Sequence, residues 1–515
     1  MTTEEVDLRP HAGTPPVGGP LDGMPAIPDG TQALVLVLCD ELRLAGVRYC
    51  HWKSNDMLHR SATGENDLDL LVHRHDGQRF AEVLDRLGFR HALAPGGRDH
   101  PGVSHHYALD AQSGRFVHVH AHFSLVLGDD TTKNFRLPIE DAYLASCHHD
   151  QLFPVPSAEF ELAVFVIRMM LKHATWDAVA IGKGRLGGNE RRELDWLLER
   201  ADPDATLAVV REHLAGVGVD LWQDCLATWV DRRGVLRRLA TGRRTLRALR
   251  PHARRSWPHD LLLRVVRRFT WGSRAYVLRL PARKRLDRVG ATVAIVGGDG
   301  SGKSTAVAGT VGWLAGPLRV RQLHLGKPRP SLLTLAVKGP MYVARSAGLL
   351  ESAWASVDPR TAQPEDFPGN AWALWHLFTA RDRLRDYRKA RREADTGGIV
   401  VSDRWPLEQI SLMDGPRTTW TLRTPDRFSS LTRRIARAEQ RVYAQIEPPD
   451  VLVVLRIDPE VAVARRSDEE SSYVRARNTE VRDIDWSRTP ATVIDATLPP
   501  EQVLARVRRA IWERL

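Results

Sequence analysis

The stretch ATVAIVGGDGSGKST at 291–305 constrains the fold of this chain more than any other. Val293 to Val296 predict a buried parallel strand, and STAVAGTVGWLAG predicts a helix that Gly316-Pro317 closes. Between them lies Gly297-x-x-x-x-Gly302-Lys303-Ser304, a loop in which glycines let backbone amides wrap around phosphates. The helix N-terminus adds positive potential there. Lys303 is placed to reach the β- and γ-phosphates, and the Ser304 hydroxyl to ligate magnesium. The expected ATP-binding set is therefore Gly297, Gly300, Ser301, Gly302, Lys303, Ser304 and Thr305, with ATP and Mg2+ as the implied nucleotide and metal.

Such a loop serves kinases, GTPases and motor ATPases alike, so the rest of the C-terminal half has to choose among them. GGIVVSDRW at 397–405 predicts another buried strand, ending in Asp403 and Arg404. That position suits a carboxylate that holds magnesium through water and an arginine that faces a phosphate. LFTARDRL at 377–384 places Asp382 and Arg383 on a helix. PPDVLVVLRIDPEVAVARR at 448–466 reads as a strand and an arginine-bearing helix. The segment to Arg482 reads as a mobile flap carrying Arg465, Arg466, Arg475 and Arg477. ATVIDATLPPEQVLARVRRAI gives a last strand and helix.

In this order the pieces at roughly 290–515 resemble the thymidylate kinase family. GGDGSGKST is similar to its phosphate loop with an inner acidic residue, Asp299. ARDR resembles its ADR segment, SDRW its DRY segment, and 465–482 its lid. The resemblance implies a parallel-sheet kinase that transfers the ATP γ-phosphoryl group to a nucleoside monophosphate. Asp299 would contact the acceptor's sugar, Arg383 and Arg404 would clamp its phosphate, and lid arginines would neutralise the moving group. It also implies a homodimer. Three positions depart from the family: Val296 before the loop, Lys327-Pro328 after the next strand, and Met413-Asp414-Gly415 past DRW. The last two fall where an acceptor would bind, which leaves the acceptor open.

Further upstream, HWKSNDMLHRSATGENDLDLLVHR at 51–74 carries Asp67 and Asp69 alternating with Leu68 and Leu70. Both carboxylates therefore leave one face of a strand while the leucines enter a core. With Ser54 upstream, the motif resembles DNA-polymerase-β-like nucleotidyltransferases, in which paired aspartates hold magnesium. That superfamily's third carboxylate is expected on FVHVHAHF at 116–123, but His118, His120 and His122 occupy its polar face. Three readings stay open: a binding module without catalysis, an active site using a softer metal with His118 and His120 as ligands, or histidines that are only hydrogen-bonded. HWKSN…GENDLDLLV and VHVHAHFSLVLG also resemble uncharacterised two-module proteins of bacterial polysaccharide gene neighbourhoods.

The coarse division is a disordered leader at 1–30, an α+β nucleotidyltransferase-like unit at 31–150, helices at 151–230, a basic helical connector at 231–288 and the α/β kinase-like unit at 289–515. The net charge of +11 is concentrated in the connector. From Asp231 to Gly290 there are 19 Arg or Lys and 3 Asp, a net of +16, so the other 455 residues sum to 11 − 16 = −5. Arginine and leucine recur there at spacings of three and four, predicting helices with one apolar and one cationic face. Solvated arginines, or docking on an anionic membrane surface or a protein partner, fit this pattern. Nucleic acid fits less well, because few aromatics are interleaved.

The four cysteines stand far apart and read as buried apolar residues. With no secretory signal and no apolar run approaching ~18 residues, a cytoplasmic location is expected. Two further functional readings are a nucleotide-binding regulatory or scaffold ATPase and a nucleic-acid end-processing kinase. The first is set apart by acceptor-independent ATP hydrolysis, the second by steeply salt-dependent binding.

Overall fold

A computed structural model describes residues 27–273, 283–326, 328–336, 339, 361–410, 415–466 and 470–515. Lys327, Met413 and Asp414 fall outside them, as does the leader up to residue 26. The strands are β1 (Tyr49–His51), β2 (Leu68–Val72), β3 (Arg90–Leu93), β4 (Val103–Leu109), β5 (Phe116–His122), β6 (Leu125–Leu127) and β7 (Phe135–Leu137). Then come β8 (Arg285–Leu286), β9 (Ala291–Gly297), β10 (Val320–Leu323), β11 (Ile399–Ser402), β12 (Val451–Arg456) and β13 (Thr492–Asp495).

The C-terminal sheet is wholly parallel, in the order β10-β11-β9-β12-β13. Its central strand β9 is buried along its whole length. Val293 and Ile295 enter one core, while Ala294 and Val296 enter another on the opposite face. Burial on both faces explains why the strand reads as a continuous apolar run rather than an alternation. The chain leaves β9 for edge strand β10, returns to β11, and later continues on the other side through β12 and β13. The loop after β9 thus opens where the winding reverses, the place at which doubly wound sheets bind ligands.

The N-terminal sheet is mixed, in the order β1-β2-β5-β4-β3-β8. Only β2 and β5 run parallel, with Asp69 opposite His120 and Leu71 opposite His122. Helices Ala158–His173, Gly188–Arg200 and Val219–Val230 build a second core that also takes in Cys50 and Leu71 of the sheet, Trp52 just after β1, and Leu125 and Leu127 of the β6–β7 hairpin. Strand β8 is short but joins the halves. Ala92 pairs with Leu286, and Leu286 in turn donates its backbone N–H to Gly397. Ala92, Tyr107 and Leu286 share one apolar core with Val293, Ile295 and Val453.

The basic segment forms helices Val235–Ala248 and Trp257–Gly272 before it reaches β8. The second helix reverses the expected polarity. Arg264 is buried between Asp177 and Asp260, at 2.9 and 3.1 Å, whereas Leu262, Val265 and Phe269 are exposed. Arg268 pairs with Asp177 at 2.9 Å and Asp129 at 2.5 Å. Counter-charges from distant elements, and from Asp260 one turn away on the same helix, draw these arginines inward, so they are not the solvated face that their spacing suggests. No helix among the described residues is long and apolar enough to cross a membrane.

Candidate functional site

Two groups of polar side chains stand out, one on each sheet. The first is the loop after β9. Gly300 and Gly302 take φ values of +81° and +82°, which favour glycine, and Lys303 opens the helix Lys303–Leu314. Close approach explains two other glycines. A Cβ on Gly298 would fall 2.0 Å from Asn478 Oδ1, and one on Gly297 would fall 2.6 Å from the Leu455 carbonyl. The Ser301 hydroxyl and the Lys303 ammonium both donate to the Gly298 carbonyl. Ser304 and Thr305 are exposed at the start of the helix.

Asp299 is the electrostatic centre of this loop. Arg477 Nη1 lies 2.6 Å from Asp299 Oδ2, while Arg404 and Lys303 stand 3.7 and 3.8 Å from Oδ1. Burial pushes the Asp299 carboxyl up, but Lys303, Arg477 and Arg404 outweigh it and hold it below the ordinary carboxylate range. The expected sugar contact is therefore occupied by the chain's own cations. Asp403 accepts from His324 Nδ1 at the end of β11, and both Asp403 and Arg404 line a crevice with Val296, Gly297, Lys303 and Trp405.

The arginines divide. Arg466 lies against Gly300, where a Cβ would come 3.2 Å from Arg466 Cγ. Arg477 reaches Asp299 from the helix Ser471–Asp483, which buries Val474, Asn478 and Val481. This stretch is helix, and the apolar spacing of Val474 and Val481 gives it a face to bury. Arg465 instead donates to the Ala496 carbonyl at 3.1 Å, and Arg475 pairs on the surface with Glu460 at 2.6 Å. Arg383, expected at an acceptor phosphate, is buried and donates to the carbonyls of Leu325 and Gly326 and to the Tyr443 hydroxyl.

The second group lies between β2 and β5. Asp67 pairs with His118 Nδ1 at 2.6 Å and Asp69 with His120 Nδ1 at 2.8 Å, while Lys53 Nζ stands 2.9 Å from Asp69. The parallel register sets His120 opposite Asp69, while Asp67, at the exposed end of the strand, is engaged by His118. Burial drives His120 down to about 4, so near neutral pH it is an uncharged imidazole that donates its Nδ1 proton to Asp69. His118 Nε2 in turn meets His105 Nδ1 at 3.2 Å, and the His105 and His120 rings stack with centroids 4.5 Å apart.

Potential metal-ligating atoms do converge, within 4.8 Å of one another, but at Asp69, His120 and His122. Asp67 and His118, also expected as ligands, are not part of that group. His122, placed by its alternation on the polar face, is fully buried against Trp52.

Sequence reasoning missed His324, Asn478, Lys53, His105 and Lys133. Lys53 adjoins Ser54 in HWKSN, and His105 alternates with Tyr107 on a strand-like run, so both carried a local signal. His324 and Asn478 reach their partners only through tertiary contact.

Lys133 completes this region. It is half-buried, takes a φ of +41°, and among the described residues its ammonium makes no hydrogen bond or ion pair. Burial, with Lys53 nearby, pushes its ammonium down to about 8 against the opposing pull of Asp69 and Asp130. With Lys53 and Arg168 it lines a cleft of about 640 Å³ between the sheet and the helices.

No family model matches the chain. Two curated relatives come from Escherichia coli strain K12. The chain is 28% identical over 226 residues to "Uncharacterized ATP-binding protein YghR", covering 42% of this chain and 86% of that protein. It is 26% identical over 225 residues to "Uncharacterized ATP-binding protein YghS", covering 43% and 93% respectively. Among solved structures, a deoxyadenosine kinase from M. mycoides with bound dATP aligns with 42% of this chain and 97% of its own. The identity is 13% and the TM-score is 0.26, too low for the likeness to bear on function.

Proposed function

We propose that the 289–515 unit is an ATP- and magnesium-dependent phosphotransferase acting on a small-molecule nucleotide, of the nucleoside monophosphate, thymidylate type. One observation carries the reading. A glycine-opened loop leaves the central strand of a parallel sheet at its winding reversal, and Lys303, Arg404, Arg466 and Arg477 gather around it. The two relatives whose names describe ATP binding support it.

In this mechanism the loop amides and Lys303 bind the β- and γ-phosphates of ATP. An oxygen of the acceptor's phosphate forms the new bond to the γ-phosphorus. The bond to the β–γ bridging oxygen breaks, and ADP leaves with that electron pair. Arg404, Arg466 and Arg477 lie where negative charge on the transferring group would concentrate, so positioning and charge do most of the chemistry. The Ser304 hydroxyl and the Asp403 carboxylate are oxygen donors of the kind magnesium takes, and they would hold the ion, which would supply positive charge to the phosphates. Asp299 keeps Arg477 and Arg404 oriented, and it competes with phosphate for them.

The test is ADP formation by the full chain with ATP and magnesium, against dTMP, other nucleoside monophosphates, sugars and nucleic-acid 5′-ends. Turnover that depends on a nucleoside monophosphate and vanishes in Lys303→Ala is expected. ATP hydrolysis indifferent to every acceptor would overturn the reading in favour of a nucleotide-binding regulator.

A further inference from the structure

The cleft beside β2 is built separately from the phosphate loop, and its charge points to a ligand of its own. Six cationic side chains line it, Lys53, Arg60, Lys133, Arg168, Lys172 and Arg192, against three acidic ones, Asp130, Glu190 and Glu193. The acids are largely engaged. Arg168 pairs with Glu193 at 2.6 Å and Lys172 with Glu190 at 2.9 Å. Arg168 still keeps a buried Nε without a partner. Lys133, half-buried, lines the cleft and its ammonium has no ion pair among the described residues. A partly desolvated, unpaired ammonium on a left-handed backbone costs stability twice over, in desolvation and in strain. Folds hold such groups where a ligand completes them.

The same geometry bears on metal. Lys53 sits 2.9 Å from Asp69, the one carboxylate near both His120 and His122, and Asp67 is taken by His118. The ammonium stands where a dication would need the Asp69 oxygens, and Lys133 adds a second positive charge close by. Both ammonium groups would oppose a metal ion and attract an anion.

We propose that this cleft is a metal-independent binding site for a small phosphorylated anion, whose phosphate oxygens accept hydrogen bonds from Lys53, Lys133 and Arg168. Its volume of about 640 Å³ matches pockets for small organic ligands rather than a lone ion. The site stands on this geometry alone and does not depend on the kinase reading.

The test is calorimetric titration of the full chain with inorganic pyrophosphate in EDTA, in a Lys303→Ala background that silences the phosphate loop. One pyrophosphate bound per chain is expected. Lys133→Met should weaken it about tenfold or more, while raising Tm because the unpaired charge is gone. The rise in Tm separates loss of binding from loss of fold. Lys53→Met should weaken binding as well. Absence of binding, binding that appears only when a divalent metal is restored, or binding unchanged in Lys133→Met would each overturn the proposal.

Discussion

The phosphate loop and the β2–β5 strand pair both set carboxylates beside cations, but by different means. At the loop, glycines bring backbone amides to the site and one carboxylate, Asp299, gathers Lys303, Arg404 and Arg477. At the strands the register places Asp69 opposite His120, and Lys53 closes the arrangement from the preceding loop. The loop site is made of main chain and long side chains that can turn toward a ligand. The strand site is made of short side chains fixed by pairing. The first therefore suits chemistry in which charge moves, and the second suits recognition by a preset surface.

The sharpest way to break this comparison is Lys303→Ala. Loss of phosphoryl transfer by about a hundredfold or more is expected, with pyrophosphate binding in the cleft unchanged. If one substitution abolishes both, the two sites are not independent. Next is Arg477→Met, which removes the 2.6 Å partner of Asp299. It should lower kcat by about tenfold to a hundredfold, with a smaller change in KM for ATP; a loss confined to KM would make Arg477 a ground-state contact only.

A pH series separates the sites further. Lys133, at about 8, faces Lys53 and Arg168, the acids Asp69 and Asp130, and the histidines His100, His105, His120 and His122. Its protonated form holds the anion, so affinity should fall as pH rises through about 8, by at most about tenfold per unit. In Lys133→Met that fall should disappear. The smallest effect concerns the loop glycines. At Gly302 a Cβ meets nothing within 4 Å, so Gly302→Ala carries only the cost of its φ of +82°, about 1–2 kcal/mol by denaturant titration. Gly298→Ala, which drives a Cβ into Asn478, should cost more; equal losses would mean that Asn478 yields freely.

The same contrast explains what was legible in the sequence. The phosphate loop, its strand and its helix are contiguous, and their chemistry resides in residue types at fixed spacing. The structure places them together as that pattern requires. Asp67 and Asp69 were legible as a pair, but their partners were not, because parallel pairing with β5 brings in residues about 50 positions away. Arg383 shows the same blindness. Its helix was evident, while the carbonyls of Leu325 and Gly326 that claim it come from beyond β10. The polarity of Trp257–Gly272 reversed for an equivalent reason, since Asp129 and Asp177 lie far off in sequence.

Strand β8 has a consequence for how the chain comes apart. Two residues from the basic segment finish the edge of the N-terminal sheet, and one of them, Leu286, also donates its backbone N–H to the turn before β11. The core around them holds side chains from both sheets. Severed at this seam, each half would keep an open strand edge and a bare apolar face, features that drive aggregation. The two sites are thus bound into one cooperative unit, and heat should release them in a single melting event rather than in turn.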